Sequence, residues 1–304
     1  MATTEAATAA TATTATPPRR SGVTDVPVVD MVRSPLRRAG RYALLVAVSI
    51  VVLLPIYATL IGALKPGDKL LNYPRSLMPV DLTLNTFSEA WRVGGLGGFL
   101  VNSFVVSSLI TTGQIITSVL AAYAFAFIDF PLKRFWFLVF IATLTVPFES
   151  IVLGNLQTIQ SLQWIDTYRA LVVPFLAFAF GTFLIRQVFM TIPKDLREAA
   201  ALDGVGHLRF MWEVAVPLAR PAIGALGLFS FLAAWNQYLW PQKVTTDDSH
   251  RTIQIGLASL RGAQIDKLNL IMAGTIIAAL PIMAALILFQ RQLIRGLTAG
   301  AVKG

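Results

Sequence analysis

Glu198-Ala199-Ala200-Ala201-Leu202-Asp203-Gly204, continuing through Val214 to Pro217, is a charged stretch between two apolar runs long enough to enter a bilayer. The chemistry it suits is docking. A membrane protein keeps a polar helix between two spans when something in water must hold it. The segment is therefore expected to be a handle gripped by a separate motor protein. Bond-breaking chemistry has little material to work with. The chain has no cysteine, and its two histidines are His207 and His250. Disulfides, thiol catalysis and cysteine metal sites are excluded, and a histidine-built metal site is not expected. No catalytic residue, metal ion or cofactor is assigned.

Two further sets of residues stand out. Glu149 lies within an apolar run, where a carboxylate is costly unless it is paired or faces water. It either borders a solute path or simply faces a wet interior. Trp235-Asn236-Gln237-Tyr238 closes another apolar run. Its amides, hydroxyl and aromatic faces suit a neutral sugar, and they equally suit an aromatic belt at the membrane surface. An intramembrane enzyme would need clustered Asp, Glu or His at one membrane face, and none is apparent. A self-sufficient secondary transporter would need paired intramembrane charges and an internal repeat, and neither is clear. A Gly-x-x-x-x-Gly-Lys-Ser/Thr phosphate loop is absent, so ATP would have to be hydrolysed by another polypeptide.

The elements that position these residues follow from composition. The chain has 304 residues, 55% apolar and 13% charged, with a mean hydropathy of +0.67. A soluble domain is about one quarter charged, so the bilayer is the expected solvent. The net charge of +9 does not form one stripe. Basic residues flank the apolar runs as topology signals do, and no nucleic-acid partner is expected. Residues 1–36 are a Thr/Ala tract turning Pro- and Arg-containing, expected to be a disordered tail. The tract also lacks the basic start and apolar core of a cleaved signal. Residues 37–304 are expected to form one all-α membrane domain of six spans, at about 42–64, 101–127, 135–156, 170–189, 221–240 and 268–289. Gly94, Gly95, Gly97 and Gly98 are expected to turn the chain before the second span. Asn102 and Gln114 within it serve either as helix–helix glue or as ligand contacts.

The handle has its own local code. Asp195 followed by Glu198 has capping-box spacing, Ala199 to Leu202 are good helix formers, and Gly204 is a natural stop. A short helix, a glycine turn and a second helix through about Val214 are expected. Six spans put both termini on one side. That side, with the turn at Lys133-Arg134 and the handle, holds sixteen of the 25 Lys and Arg residues. The positive-inside rule places it, and both termini, in the cytoplasm of a multi-pass cell-membrane protein.

Glu198-Ala199-Ala200, then Gly204, then Val214 and Val216-Pro217 resemble the EAA loop of bacterial ABC importer permeases, with Val where the family has Ile and Leu. The tail from Arg295 to Gly304, Asn102-Ser103 and Ala121-Ala122-Tyr123-Ala124 resemble the maltose-type (MalG-like) permeases of carbohydrate importers. Asn236-Gln237-Tyr238-Leu239-Trp240-Pro241, with Phe180-Gly181-Thr182-Phe183-Leu184, is similar to the subgroup containing sn-glycerol-3-phosphate permeases. The resemblance implies the type I importer (MetI-like) architecture, with a cytoplasmic coupling helix between spans four and five. It implies that Glu198, Ala199, Ala200, Asp203, Gly204 and Pro217 belong to the segment seated on an ATPase. It also implies a second homologous permease, two ATP-binding subunits and an extracytoplasmic solute-binding protein as partners. The solute is a sugar or sugar-like molecule, or else sn-glycerol-3-phosphate or a glycerophosphodiester. A phosphate wants cations along its path, and the span cores offer none.

Overall fold

The computed structural model describes residues 35–70, 77–263 and 267–298, and no strand occurs among them. The expected tail lies outside the described residues as far as Ser34, while Pro35 and Leu36 already begin the first helix. That helix, α1 (Pro35–Ala63), carries an uncharged stretch with Pro55 inside it. Its residues from Ala39 to Leu53 are exposed and belong to a unit of their own; Leu54 onward belongs to a second unit.

In the second unit, α2 (Asn85–Gly94) ends at Gly95, whose φ of 60° reverses the chain into α3 (Leu96–Phe127). The glycine turn is therefore one residue wide, and Gly97 and Gly98 lie inside α3. At 32 residues α3 is about 48 Å long, enough to cross a bilayer and project beyond it. It lies against α7 (Ala179–Phe189) and against α11 (Arg220–Trp235), which packs on α14 (Leu268–Thr298). Small residues allow these approaches. A Cβ on Gly181 would stand 2.4 Å from Ser118 Oγ, so α7 could not sit this close to α3 with any larger residue there.

Three helices are long and apolar enough to cross a membrane, over Ala39–Ala63, Leu96–Phe127 and Leu268–Gln290. Three bent pairs raise the number to as many as six if each pair is one crossing. The expected third span is bent by 98° between α4 (Lys133–Ala142), with its 3-10 extension to Thr145, and α5 (Phe148–Ser161). Val146 and Pro147 are extended there, and Pro147 has no N–H to continue the ladder. The expected fourth span is bent by 44° between α6 (Tyr168–Val172), with a 3-10 turn to Phe175, and α7. This break frees carbonyls in an apolar setting, where each needs a donor. Three side chains of α3 supply them. Gln114 Nε2 donates to Phe175 O at 2.8 Å, Thr117 Oγ1 to Leu176 O at 2.6 Å, and Ser118 Oγ to Phe178 O at 3.4 Å. Gln114, Thr117 and Ser118 of the second span are thus helix–helix glue in this conformation.

The expected fifth span is shorter than 221–240: α11 stops at Trp235, Asn236 to Tyr238 bend, and α12 (Leu239–Val244) follows. The loop expected from Pro241 to Lys267 contains α13 (Ile253–Ala263), which packs on α3, α14 and α2.

Candidate functional site

The handle is built from α8 (Lys194–Leu202), a turn, α9 (His207–Phe210), a π-helical turn (Met211–Ala215) and α10 (Val216–Leu218). The expected capping box does not form. The N-cap of α8 is Pro193, Asp195 sits inside the first turn, and no side chain caps the helix. Pro193 is preset at φ −57° and starts the helix earlier than the Asp195 spacing suggests. The other end is as expected. Gly204 is left-handed at φ +76°, its N–H reaches Ala201 O at 3.0 Å, and the Val205 N–H reaches Ala200 O at 2.8 Å. This is a Schellman closure, and Ala200 and Val205 pack into the same hydrophobic cluster beneath it. Arg197 ties the turn further by donating from Nη1 to Val205 O at 3.2 Å.

Pro217 lies in α10 and is half-buried. It cannot donate to the carbonyl four residues back, and the preceding turn widens, with the Val216 N–H reaching Met211 O. The chain then bends by 80° into α11. The handle's inner face, Phe210, Met211, Ala215 and Ala219, is fully buried against Val119, Ala122 and Tyr123 of α3 and Ile185 and Phe189 of α7. Tyr123 Oη and His207 Nδ1 add a 3.1 Å hydrogen bond. The outer face is bare. Glu198, Ala199, Ala201 and Asp203 are exposed, and so are the apolar tips Leu202, at 89%, and Leu208, at 69%. The handle is a firmly anchored element that presents apolar surface outward.

At the other end of α3 the Asn236–Tyr238 bend forms a second site. Trp235 turns into the core with Leu96, Phe99, Ile253 and Ala278 and is only 1% exposed. Asn236 is exposed, and its Oδ1 accepts from Gln254 Nε2 at 3.4 Å. Gln237 has a buried Oε1 with no partner. The Tyr238 hydroxyl accepts from Gln242 Nε2 at 2.9 Å. Glu149 is exposed in the first turn of α5, and its neighbour Phe148 packs on Trp240 at 5.9 Å. Sequence reasoning missed a cation here. Arg261 of α13 lines a cavity of about 830 Å³ together with Tyr238, Ile271 and Thr275. Its loop position in the sequence hid this, and the apolar period of Ile253, Leu257 and Leu260 was the available signal.

A polar network closes the same end. Asn102 donates to Ser249 O at 2.9 Å and Arg251 O at 3.0 Å and accepts from the Tyr168 hydroxyl at 2.7 Å. Ser103 Oγ accepts the Ile253 N–H at 2.7 Å. Asp166 accepts the Thr246 N–H at 2.6 Å, the Thr246 hydroxyl, and the Asp247 N–H at 3.3 Å. Partial burial alone would raise its pKa; these hydrogen bonds and nearby His250 outweigh it and hold the carboxyl below its ordinary range. Among the described residues no group of three or more His, Asp or Glu could hold a metal ion.

Residues 114–299 match the family described as binding-protein-dependent transport system inner membrane component. The chain is 36% identical over 265 residues to the sn-glycerol-3-phosphate transport system permease protein UgpE of Yersinia enterocolitica, covering 84% of this chain and 94% of that protein. It is 38% identical over 273 residues to the same-named protein of Agrobacterium fabrum, covering 86% and 96%. Among solved structures, a bacterial ABC transporter involved in the import of the acidic polysaccharide alginate has a chain of the same fold. The TM-score is 0.75 and the identity 19%, covering 84% of this chain and 96% of that one. With the anchored handle between α7 and α11 and the helical spans around it, these likenesses establish the protein as a member of the binding-protein-dependent transport family, an inner-membrane permease component of an ABC importer.

Proposed function

We propose that the chain crosses the membrane six times, with α1, α3, α11 and α14 each one crossing and the bent pairs α4–α5 and α6–α7 one each, and with both termini and the handle in the cytoplasm. Residues 37–304 form the permease domain and residues 1–36 a cytoplasmic tail. The handle is the coupling segment. It seats Glu198, Ala199, Ala200, Asp203 and Gly204 in an ATP-binding subunit, while Pro217 shapes the turn behind them. ATP is hydrolysed by two such subunits, a second homologous permease completes the path, and an extracytoplasmic binding protein delivers the solute. One observation carries this reading: Leu202 is 89% exposed at the end of α8, beside Ala200 and Val205, which pack on the buried cluster that anchors the handle through Phe210 and Met211. A water-facing leucine held so rigidly is suited to fill a partner's groove. When the ATPases close, the handle moves with them and rocks the helices between two states; ATP biases that equilibrium through contacts that differ between the states.

The solute best supported is a small phosphate-bearing polyol of the sn-glycerol-3-phosphate kind. The relatives' names point there, and Arg261 beside Tyr238 supplies the cation that the spans themselves lack. A neutral sugar is the second reading, favoured by Asn236 and the free acceptor of Gln237. Glu149, exposed at the start of α5, would border the path of either solute. The test is Glu198→Lys in the intact transporter. Uptake is expected to be lost while the chain still inserts in the membrane, because reversal of charge breaks the docking and not the fold. Normal uptake by this variant, or a handle reached by impermeant label from outside the cell, would overturn the reading.

A further inference from the structure

A cavity of about 600 Å³ opens where the end of α3, the start of α4 and the end of α7 meet, at the handle end of the molecule. Its rim carries four cations, Lys133, Arg134, Arg186 and Lys194, and one acid, Asp129. Asp129 is taken by Lys133 at 3.5 Å, while Arg134, Arg186 and Lys194 form no ion pair with any described residue. Arg186 is held in place. Its guanidinium lies 4.0 Å above the Phe137 ring and its Nε donates to Phe125 O at 3.3 Å, which leaves the outer nitrogens for a ligand. Asp129 offsets one of the four charges, and the lining holds no second anion for the other three.

The wall beside the cations is apolar and outward-facing. Phe137 and Leu138 line the cavity, and Phe135, Trp136, Leu138 and Val139 are all exposed along α4, the start of the expected third span. Lys133 and Arg134 immediately precede Phe135 and Trp136. This sequence of cations, then indole, then apolar helix is the profile of a membrane surface crossed from water to hydrocarbon. We propose that this pocket binds the phosphate headgroup of an anionic phospholipid from the leaflet on the handle side. Arg186 and Arg134 meet the phosphodiester oxygens, Lys194 closes the rim from the base of α8, and the acyl chains run down the exposed face of α4. Continuity between basic rim and apolar wall selects a lipid over a soluble anion, which has no use for the wall, and over an acidic protein surface, which would not cover α4 inside the membrane. Because Lys194 opens α8, a bound lipid would brace the handle where it leaves the membrane.

The experiment is native mass spectrometry of the chain purified with its natural partner subunits from membranes, after exposure to equal amounts of phosphatidylglycerol and phosphatidylcholine. Selective retention of phosphatidylglycerol is expected, reduced about tenfold in Arg134→Gln/Lys194→Gln and preserved in Arg134→Lys/Lys194→Arg, as contacts by charge require. Arg134 and Lys194 are exposed, so the double variant keeps the fold where an Arg186 variant would not. Inorganic phosphate in excess is expected to leave retention unchanged. Equal retention of both lipids, or equal retention by parent and Gln variant, overturns the proposal. Displacement by inorganic phosphate reassigns the pocket to a free anion. Retention seen only after the partner subunits are stripped assigns the rim to a protein.

Discussion

The two ends of α3 solve opposite problems. At the handle end, contacts to the rest of the chain are mainly apolar: Phe210, Met211 and Ala215 are sunk between α3 and α7, and Leu202 and Leu208 are left in the open. At the other end the chain satisfies itself. Asn102 and Asp166 take up backbone groups from the stretch between α12 and α13, and Ser103 takes up the first N–H of α13. An end sealed by hydrogen bonds has little left to offer a permanent partner. An end anchored by core packing keeps its outer face for one. The difference teaches where, in the proposed function, force would enter the molecule: through the element whose exposed face is left without contacts in this chain.

That contrast can be broken from the handle side first. Leu202→Asp is expected to lower solute uptake by about thirtyfold or more, the loss typical of a central docking residue worth about 2 kcal/mol. Thermal stability of the purified chain should not change, since Leu202 touches no core. A fall in stability equal to the fall in uptake would make the tip structural. Asn102→Leu is the converse. It strands the Tyr168 hydroxyl and the carbonyls of Ser249 and Arg251. It should lower stability by about 2–3 kcal/mol, read as a drop in Tm in detergent, with ATPase co-purification intact. Thr117→Val is smaller still. It removes one donor to the break before α7, and intramembrane hydrogen bonds of this kind average about 0.6 kcal/mol. A Tm drop as large as that of Asn102→Leu would show that the break depends on Thr117 alone and not on Gln114 as well.

The handle was largely legible in the sequence because its code is local: alanines that favour helix, then a glycine at the one left-handed position. The error at its start was also local, since Pro193 presets the first turn before Asp195 can cap it. The three straight spans were legible as uncharged runs. The bends were not. Pro55 and Pro281 remain inside continuous helices, whereas Pro147 marks a 98° break. Proline removes the same hydrogen bond in every case, and only the packing around it decides whether the chain kinks or turns. For the same reason α13 and Arg261 stayed hidden. A helix of eleven residues with one charge reads as loop until Phe99 is seen against Gly256, where a Cβ would stand 2.2 Å from the ring.

The smallest expected effect sharpens the contrast at the hydrogen-bonded end. Asp166 is held below the ordinary carboxylate range because its charged form accepts three hydrogen bonds from Thr246 and Asp247, more than offsetting its partial burial. A carboxyl whose folded pKa is depressed stabilises the fold fully above its unfolded pKa, and that contribution is lost as pH falls through the folded value. Amide protection at Thr246 and Asp247, measured by hydrogen exchange and corrected for the intrinsic rate, should therefore stay level from neutral to mildly acidic pH. It should fall only beneath the usual carboxylate range. Asp166→Asn should start lower and show no such fall, because the amide cannot titrate and reproduces only part of the acceptor geometry. The group is only half-buried, so the change is local and modest, and uptake at neutral pH should respond less than to any handle variant. A protection loss that begins near neutrality in both proteins would show that the carboxyl of Asp166 does not set the pH dependence at this end, and that the hydrogen bonds to Thr246 and Asp247 are not what seals it.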